Sequence, residues 1–290
     1  MLRIFTEYLF RNYIEAKRKS YGGVDVWRCP EISVLMGIYD RSEDVSVLRR
    51  SVESILHQTF SDFEFLICDD GSSKQVQAYL DGVVKKDSRV RLIRSEGAFL
   101  LPIKLNLCLK KANGKYIARM DGDDFSHPDR FWRQLDYLFG HPEISFMGCN
   151  VNLIQNGKAV GKRCFPEYPQ IRDFYVTQPY IHPTLIFRRK ALEAVNGYSE
   201  DKSVILCEDY DLLLRLYAKG FYGANLQEVL FDYTIPATVK GNRKMRHRWN
   251  EAVTRYRRFK ELELFPIALP YVVKPIAVGF LPKFILKRLK

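Results

Sequence analysis

Between Glu31 and Gly140 short apolar runs alternate with amphipathic stretches, and this rhythm constrains the fold more than any other feature of the chain. Ile32–Ile38 reads as a buried strand and Val45–Gln58 as an amphipathic helix. Phe63–Cys68 is a second strand, followed by a helix from about Gln75 to Lys86. Val90–Ile93 is a third strand, Ile103–Ala112 a helix closed by Gly114, and Tyr116–Met120 a fourth strand. Strands that alternate with helices indicate an α/β fold with a mostly parallel sheet covered on both faces. In such sheets ligands bind beyond the carboxyl ends of the strands.

Those ends are acidic. The first strand runs into Tyr39-Asp40, the second into Asp69-Asp70-Gly71-Ser72-Ser73, and the fourth into Asp121-Gly122-Asp123-Asp124. An acidic turn after one strand is ordinary, since Asp and Gly are common loop residues. Three such turns on one sheet edge are hard to ascribe to chance. Clustered carboxylates repel one another unless a positive group lies between them. Mg²⁺ or Mn²⁺ suits that place, because a hard cation takes oxygen ligands and shares them with substrate phosphates.

Beyond the fourth strand, Pro128–Gly140 is predicted to be a helix and Ile144–Gly148 a strand, and residues 149–165 a hairpin turning at Asn156-Gly157. His182–Phe187 reads as a strand with a polar start, with a short helix from Arg189 to Asn196-Gly197 after it. Glu208-Asp209 then opens a helix, Tyr210–Lys219, that Gly220 closes. Acidic residues at a helix start also serve its dipole. Residues 1–20 read as an amphipathic helix, with Leu2, Phe5, Tyr8, Leu9 and Tyr13 on one face. From Lys240 to Lys260 the chain is densely basic, with Trp249, Val253, Tyr256 and Phe259 interleaved at helical spacing. No acidic residue follows Glu263.

Taken with a net charge of +12, that carboxyl end fits a segment lying on an anionic membrane surface better than a solvated helix face. No apolar run is long enough to span a bilayer, no secretory signal is evident, and the six cysteines lack paired spacing. A cytoplasmic protein, peripheral at the inner face of the cell membrane, is expected. Three regions result: an extension over residues 1–30, a catalytic domain over 31–235, and a basic helical extension over 236–290.

The motifs from Ile32 to Gly220 resemble those of the family 2 inverting, nucleotide-sugar-dependent glycosyltransferases, which have the GT-A fold. The resemblance rests on Ser51-Val52-Glu53-Ser54-Ile55-Leu56-His57-Gln58-Thr59, Asp69-Asp70-Gly71-Ser72 and Lys104-Leu105-Asn106 with Ala112-Asn113-Gly114-Lys115-Tyr116. It continues through Asp121-x-Asp123, His182-Pro183-Thr184, Gly197-Tyr198 and Glu208-Asp209-Tyr210-Asp211. It implies that Tyr39, with Asp40 beside it, and Asp70 hold the nucleotide base, and that Lys104 and Arg119 steady the nucleotide. Asp121 would contact the ribose or a metal-bound water, and Asp123 would ligate Mn²⁺ or Mg²⁺. Asp209 would be the catalytic base, with Glu208 positioning the acceptor and Asp211 capping the helix.

Two departures stand out. The first strand ends Gly37-Ile38-Tyr39-Asp40 where the family favours Pro-x-Tyr-Asn, and Tyr233-Thr234-Ile235-Pro236 replaces a motif whose His can ligate the metal. The Gln-x-x-Arg-Trp motif of processive enzymes is absent, which favours transfer of one sugar. The expected partners are a UDP-linked nucleotide-sugar donor and a lipid-linked saccharide acceptor of bacterial surface-polysaccharide assembly, with no nucleic acid. An Asp-x-Asp phosphotransferase is the rival enzyme, but Asp123 is followed by Asp124-Phe125 rather than Gly-Thr. A basic nucleic-acid- or membrane-binding protein without catalysis is the non-enzymatic rival. Its positive charge is displaced from the sheet's functional edge.

Overall fold

The computed structural model describes residues 29–235 and 244–280. The amphipathic helix expected over residues 1–20 and the basic carboxyl terminus lie outside the described residues. The alternating first half is seen as expected: β1 (Ile32–Ile38), α1 (Ser46–Leu56), β2 (Phe63–Asp69), α2 (Lys74–Lys86), β3 (Val90–Arg94), α3 (Leu101–Lys111) and β4 (Tyr116–Arg119). β1 pairs in parallel with both β2 and β4, and β2 with β3. The carboxyl ends of all four therefore share one edge.

The sheet then turns mixed. After the two-residue β5 (Phe125–Ser126) and α4 (Arg130–Gly140) come β6 (Phe146–Gln155), β7 (Lys158–Arg163) and β8 (Ile186–Arg188). α5 (Arg189–Ala194), α6 (Glu208–Ala218) and β9 (Gly223–Thr234) follow, and the nine strands run in the order β3-β2-β1-β4-β8-β6-β9-β5, with β7 beside β6. Two sequence expectations are corrected. The strand expected at Ile144–Gly148 and the first arm of the hairpin are one continuous strand, β6. His182–Thr184 is a single 3₁₀ turn rather than the start of a strand, as Pro183 fixes φ and has no N–H to give a ladder. At the hairpin turn both Asn156 and Gly157 have positive φ, 52° and 74°, which suits a type I′ turn.

Alternate residues of the buried strands serve two layers. Ile32, Val34, Met36 and Ile38 pack toward α1, α2 and α4 through Val52, Val76 and Phe131, whereas Leu35, Leu66 and Cys68 pack toward α3, α5 and α6. The second layer also takes in Phe259 of α7 (Met245–Glu261) and Val272 of α8 (Leu269–Phe280). The C-terminal hairpin is thus built into the core. Two of its arginines face inward: Arg255 is buried and Arg258 pairs with buried Asp211, whereas the exposed Arg257 pairs with Asp201.

Candidate active site

At the edge shared by β1, β2 and β4, Asp70 is buried and both its oxygens are engaged. Oδ1 accepts the N–H of Ala98 at 2.9 Å and Oδ2 that of Phe99 at 2.7 Å. Asp70 thereby fixes the loop between β3 and α3. Its neighbour Asp69 is buried too and is tied to Arg94 and to the N–H of Ser72. Lys104, on α3, is buried with its ammonium 5.8 Å from the centroid of the exposed Tyr39 ring. Burial lowers the pKa of this lysine, and the charge of Asp70 opposes the shift. Asp40 lies beside them, its carboxylate accepting the N–H of Ser42 at 2.8 Å and its own N–H bound to Ser72 Oγ. Tyr39, Asp40, Asp70 and Lys104 are therefore brought together.

The loop after β4 is clamped from two sides. Ser51 Oγ of α1 donates to Asp121 O at 2.6 Å, and Thr234 Oγ1 at the end of β9 donates to Asp123 O at 2.6 Å. Arg119 is fully buried beneath the loop, with its guanidinium bonded to the Asp121 carboxylate and to the carbonyls of Met120 and Leu35. The structure thus directs this cation at Asp121 rather than into the open cleft. Asp124, a buried residue absent from the expected site set, accepts the Thr234 N–H at 2.8 Å through Oδ1. Its Oδ2 is buried without a hydrogen-bond partner among the described residues. Burial first and the Asp121 charge next push its pKa up to about 8. Asp123 faces solvent at the tip, yet the surrounding protein and then Asp121 raise it above the usual carboxylate range.

This donor set suits a hard cation that completes its shell with substrate oxygens. Among the described residues no three His, Cys, Asp or Glu side chains converge as a full ligand set. Two carboxylates plus phosphate oxygens is a common arrangement for Mg²⁺. An orphaned buried carboxylate oxygen and raised carboxylate pKa values are what missing positive charge produces.

Across the cleft, Glu208 and Asp209 occupy the first turn of α6. Asp209 is half-buried; Oδ1 accepts the N–H of Tyr210 at 2.8 Å and Oδ2 the side-chain amide of Gln178 at 3.1 Å. Burial, and then the Asp209 charge, raise the pKa of Glu208. Tyr198, buried, shares a 2.9 Å hydrogen bond with Nε2 of His182, and burial keeps that imidazole neutral. Tyr233 connects the two sides. Its pKa is pushed up to about 12 by burial first and then by the charges of Asp124, Asp121, Asp123 and Asp209. Asp211 departs from the capping role expected of it. It is buried between Arg215 and Arg258, at 2.8 and 2.7 Å.

Sequence reasoning missed Gln178, Tyr233, Thr234 and Asp124. The last three were within reach, since Asp124 ends the acidic turn and Tyr233-Thr234 close a strand that went unread. The rest of the family motifs prove to be fasteners. Gln58 binds the carbonyls of Ser54 and His127 and the hydroxyl of Ser126, and so holds the segment after Asp124 against α1. Asn106 brackets Tyr198 by accepting its N–H and donating to its carbonyl, both at 2.9 Å. Ser33 receives the N–H of Gly114 at 2.7 Å, where a Cβ would lie 2.4 Å from the Ser33 nitrogen.

The family model described as Glycosyl transferase family 2 matches residues 33–196. The chain belongs to glycosyl transferase family 2. It is 31% identical over 266 residues to the glycosyltransferase relative EpsE of Bacillus subtilis (strain 168), covering 89% of this chain and 92% of that one. It is 32% identical to the O-antigen biosynthesis glycosyltransferase WbnJ of Escherichia coli, over 70% of this chain and 79% of that one. A third relative, also of Escherichia coli, is WfgD, a UDP-Glc:alpha-D-GlcNAc-diphosphoundecaprenol beta-1,3-glucosyltransferase; it is 32% identical over 47% of this chain and 51% of its own.

Among solved structures, S. aureus TarS residues 1–349 in complex with UDP-GlcNAc superposes with a TM-score of 0.63 at 16% identity, covering 86% of this chain and 71% of that one. The mannosyltransferase PcManGT of Pyrobaculum calidifontis, with GDP-Man and Mn²⁺, gives 0.60 at 16% identity over 99% and 88%. These two matches speak for the GT-A fold. As a family 2 member the chain is a glycosyltransferase, with relatives in polysaccharide and O-antigen biosynthesis. The phosphotransferase reading falls away. No described helix is long and apolar enough to cross a membrane.

Proposed function

We propose that this enzyme moves one sugar from a nucleoside-diphosphate sugar, UDP-linked, to a hydroxyl of a lipid-linked saccharide, with inversion, in bacterial surface-polysaccharide assembly. The observation that carries the reading is the closeness of the two acidic groups. Asp209 and the acidic loop Asp121–Asp124 both lie near enough to the Tyr233 phenol for their charges to raise its pKa. The likeness to WbnJ and WfgD supports the pathway and the class of acceptor.

In this mechanism Tyr39 and Lys104 receive the nucleotide, and Asp70 shapes that end of the cleft by fixing the 97–99 loop. Asp121 and Asp123 are the residues that would hold Mn²⁺ or Mg²⁺. A divalent cation bound there supplies charge neutralisation for the departing diphosphate. Arg119 acts through Asp121, holding its carboxylate in place. The acceptor oxygen attacks C1 of the sugar as the bond from C1 to the diphosphate breaks. The hydroxyl proton passes to Asp209, which the Tyr210 N–H and Gln178 amide orient. Attack opposite the leaving group inverts C1.

The test is incubation of purified protein with UDP-glucose, UDP-GlcNAc, UDP-galactose and GDP-mannose plus Mn²⁺, following nucleotide release with and without polyprenyl-diphosphate-linked GlcNAc. A UDP-sugar turned over faster with the lipid acceptor is the expected result, and EDTA should abolish it. Full activity in excess chelator would remove the metal from the scheme, and turnover of GDP-mannose alone would overturn the UDP assignment.

Peripheral membrane contact belongs to the same proposal. Trp249, Tyr256, Ile267, Leu269, Val273 and Phe280 of the C-terminal hairpin are exposed, with Lys244, Arg246, Lys260 and Lys274 among them. Apolar and basic side chains together suit the anionic inner face of the cell membrane.

A further inference from the structure

Two chains of contact run from the C-terminal hairpin to Asp209. The first passes through the segment before Gln178. Arg255 of α7 donates to the carbonyls of Phe174, Tyr175 and Val176, at 3.4, 2.7 and 3.5 Å, and pairs with Glu251. From α8, the ammonium of Lys274 reaches Val176 O at 3.4 Å, and Tyr271 stacks on Tyr175 at 4.9 Å between centroids. Two residues further on, Gln178 donates one side-chain amide to both Tyr180 O and Asp209 Oδ2, each at 3.1 Å. The second chain passes through α6 itself. Arg258 of α7 and Arg215 of α6 hold opposite oxygens of buried Asp211, two residues after Asp209.

We propose that the hairpin of α7 and α8 is a positioning element of the transfer reaction, holding the Asp209 carboxylate through Gln178 on one side and Asp211 on the other. This rests on Asp209 being the base. A half-buried carboxylate at a helix start can turn about χ1 and χ2. Here one oxygen is taken by the Tyr210 N–H and the other by Gln178, leaving its remaining lone pairs a fixed direction. A base held in register with the acceptor hydroxyl contributes through orientation, and small misplacements cost large factors in rate. Among the described residues, Glu208 on α6, Tyr198 after α5 and Tyr233 at the end of β9 feel its charge. The Gln178 amide donates to this carboxylate, and such a hydrogen bond favours the ionised form.

The experiment uses the full chain with Gln178→Leu, Gln178→Asn and Arg255→Met. Calorimetry with UDP should give wild-type affinity within two-fold for all three, because none touches the nucleotide end of the cleft. The kcat for UDP-sugar turnover should fall about ten-fold in Gln178→Leu and Arg255→Met, the loss expected for one hydrogen bond to a charged group. Independently of any sugar, ¹³C-carboxyl NMR of aspartate-labelled protein should show the Asp209 resonance, assigned by its loss in Asp209→Asn, titrating at higher pH in Gln178→Leu than in wild type. A merely structural role would lower the melting temperature without moving that titration. An unmoved titration with unchanged kcat in Gln178→Leu overturns the proposal, even if Arg255→Met fails to fold. If Asp209→Asn itself keeps full activity, the assignment of the base has failed instead.

Discussion

Asp124 offers a quantitative test of the acidic loop that needs no substrate. An ordinary aspartate ionises near 3.8, and in the folded chain burial and the Asp121 charge push this one up to about 8. Between those limits the folded state holds a proton that the unfolded state has released, so stability falls as pH rises, by about 1.4 kcal/mol per unit. The loss begins near pH 4 and levels off above about 8. From pH 5 to pH 8 it amounts to roughly 3–4 kcal/mol, a large part of the total stability of an ordinary domain. Asp124→Asn keeps a carbonyl oxygen for the Thr234 N–H but has no proton to lose. It also places an amide where Oδ2 is buried without a partner, so its absolute stability at any one pH is the wrong quantity to compare.

The slope is the right one. Urea unfolding of wild type and Asp124→Asn in EDTA, at pH 5, 6.5 and 8, should show wild type losing that much more stability than the variant. Mn²⁺ at pH 8 should flatten the wild-type slope, because a cation on Asp121 and Asp123 favours the ionised form of Asp124. Parallel curves for the two proteins in EDTA would refute the reasoning, and with it the view that the loop is short of positive charge.

Two further outcomes are expected. Asp209→Asn should bind UDP as wild type does and lose kcat by about 10²–10⁴-fold, the usual size of general-base catalysis. Paired measurements on Glu208→Gln and Asp211→Asn decide the assignment, since an active Asp209→Asn beside a dead Glu208→Gln moves the base by one residue. On sedimentation with vesicles, wild type should pellet with phosphatidylglycerol and stay in solution with phosphatidylcholine, each exposed Lys or Arg near the surface contributing about 1 kcal/mol. Ile267→Ser combined with Phe280→Ser should stay in solution with both, and a wild type indifferent to phosphatidylglycerol would remove the membrane from the scheme.

The parallel half of the fold was legible because β1 and β2 are almost wholly buried, mostly apolar runs and the helices between the strands are amphipathic. The strand β9 was not. Its pairing with β6 slips at Cys149–Asn150 and Asn150–Val151, so Leu226, Leu230, Phe231 and Tyr233 reach the same layer out of phase with a period of two. Its last residues, Tyr233 and Thr234, are the ones that close the acidic loop. Missing the strand meant missing that wall of the site. Roles were harder to read than positions. Ser51, Gln58, Asn106 and Gly114 sit in motifs beside the cleft, yet their side chains or close backbone contacts hold loops rather than ligand. Asp211 looked like a helix cap because its partner, Arg258, lies 47 residues away in sequence. No local pattern encodes that pairing.

That long-range pair changes how the basic carboxyl end is to be understood. A run of arginines on one helix suggests a face turned to an anionic surface, but α7 divides its charges. Arg255 and Arg258 turn inward, each closed by carbonyl or carboxylate oxygens of the catalytic unit. Lys244, Arg246 and Lys260 remain exposed, beside Trp249 and Tyr256. An inward-facing arginine without its oxygens would be a buried unpaired cation, which is costly, so α7 cannot leave the domain without a penalty at both ends of the contact. The hairpin is consequently a fixed part of the enzyme, and its exposed face holds a fixed orientation relative to Asp209. If the acceptor is anchored in lipid, as proposed, that rigidity matters. An acceptor hydroxyl carried by a membrane-bound saccharide would meet the proposed base reproducibly only if the lipid-facing surface and the carboxylate belong to one rigid unit. The contacts from Arg255 and Arg258 would join them.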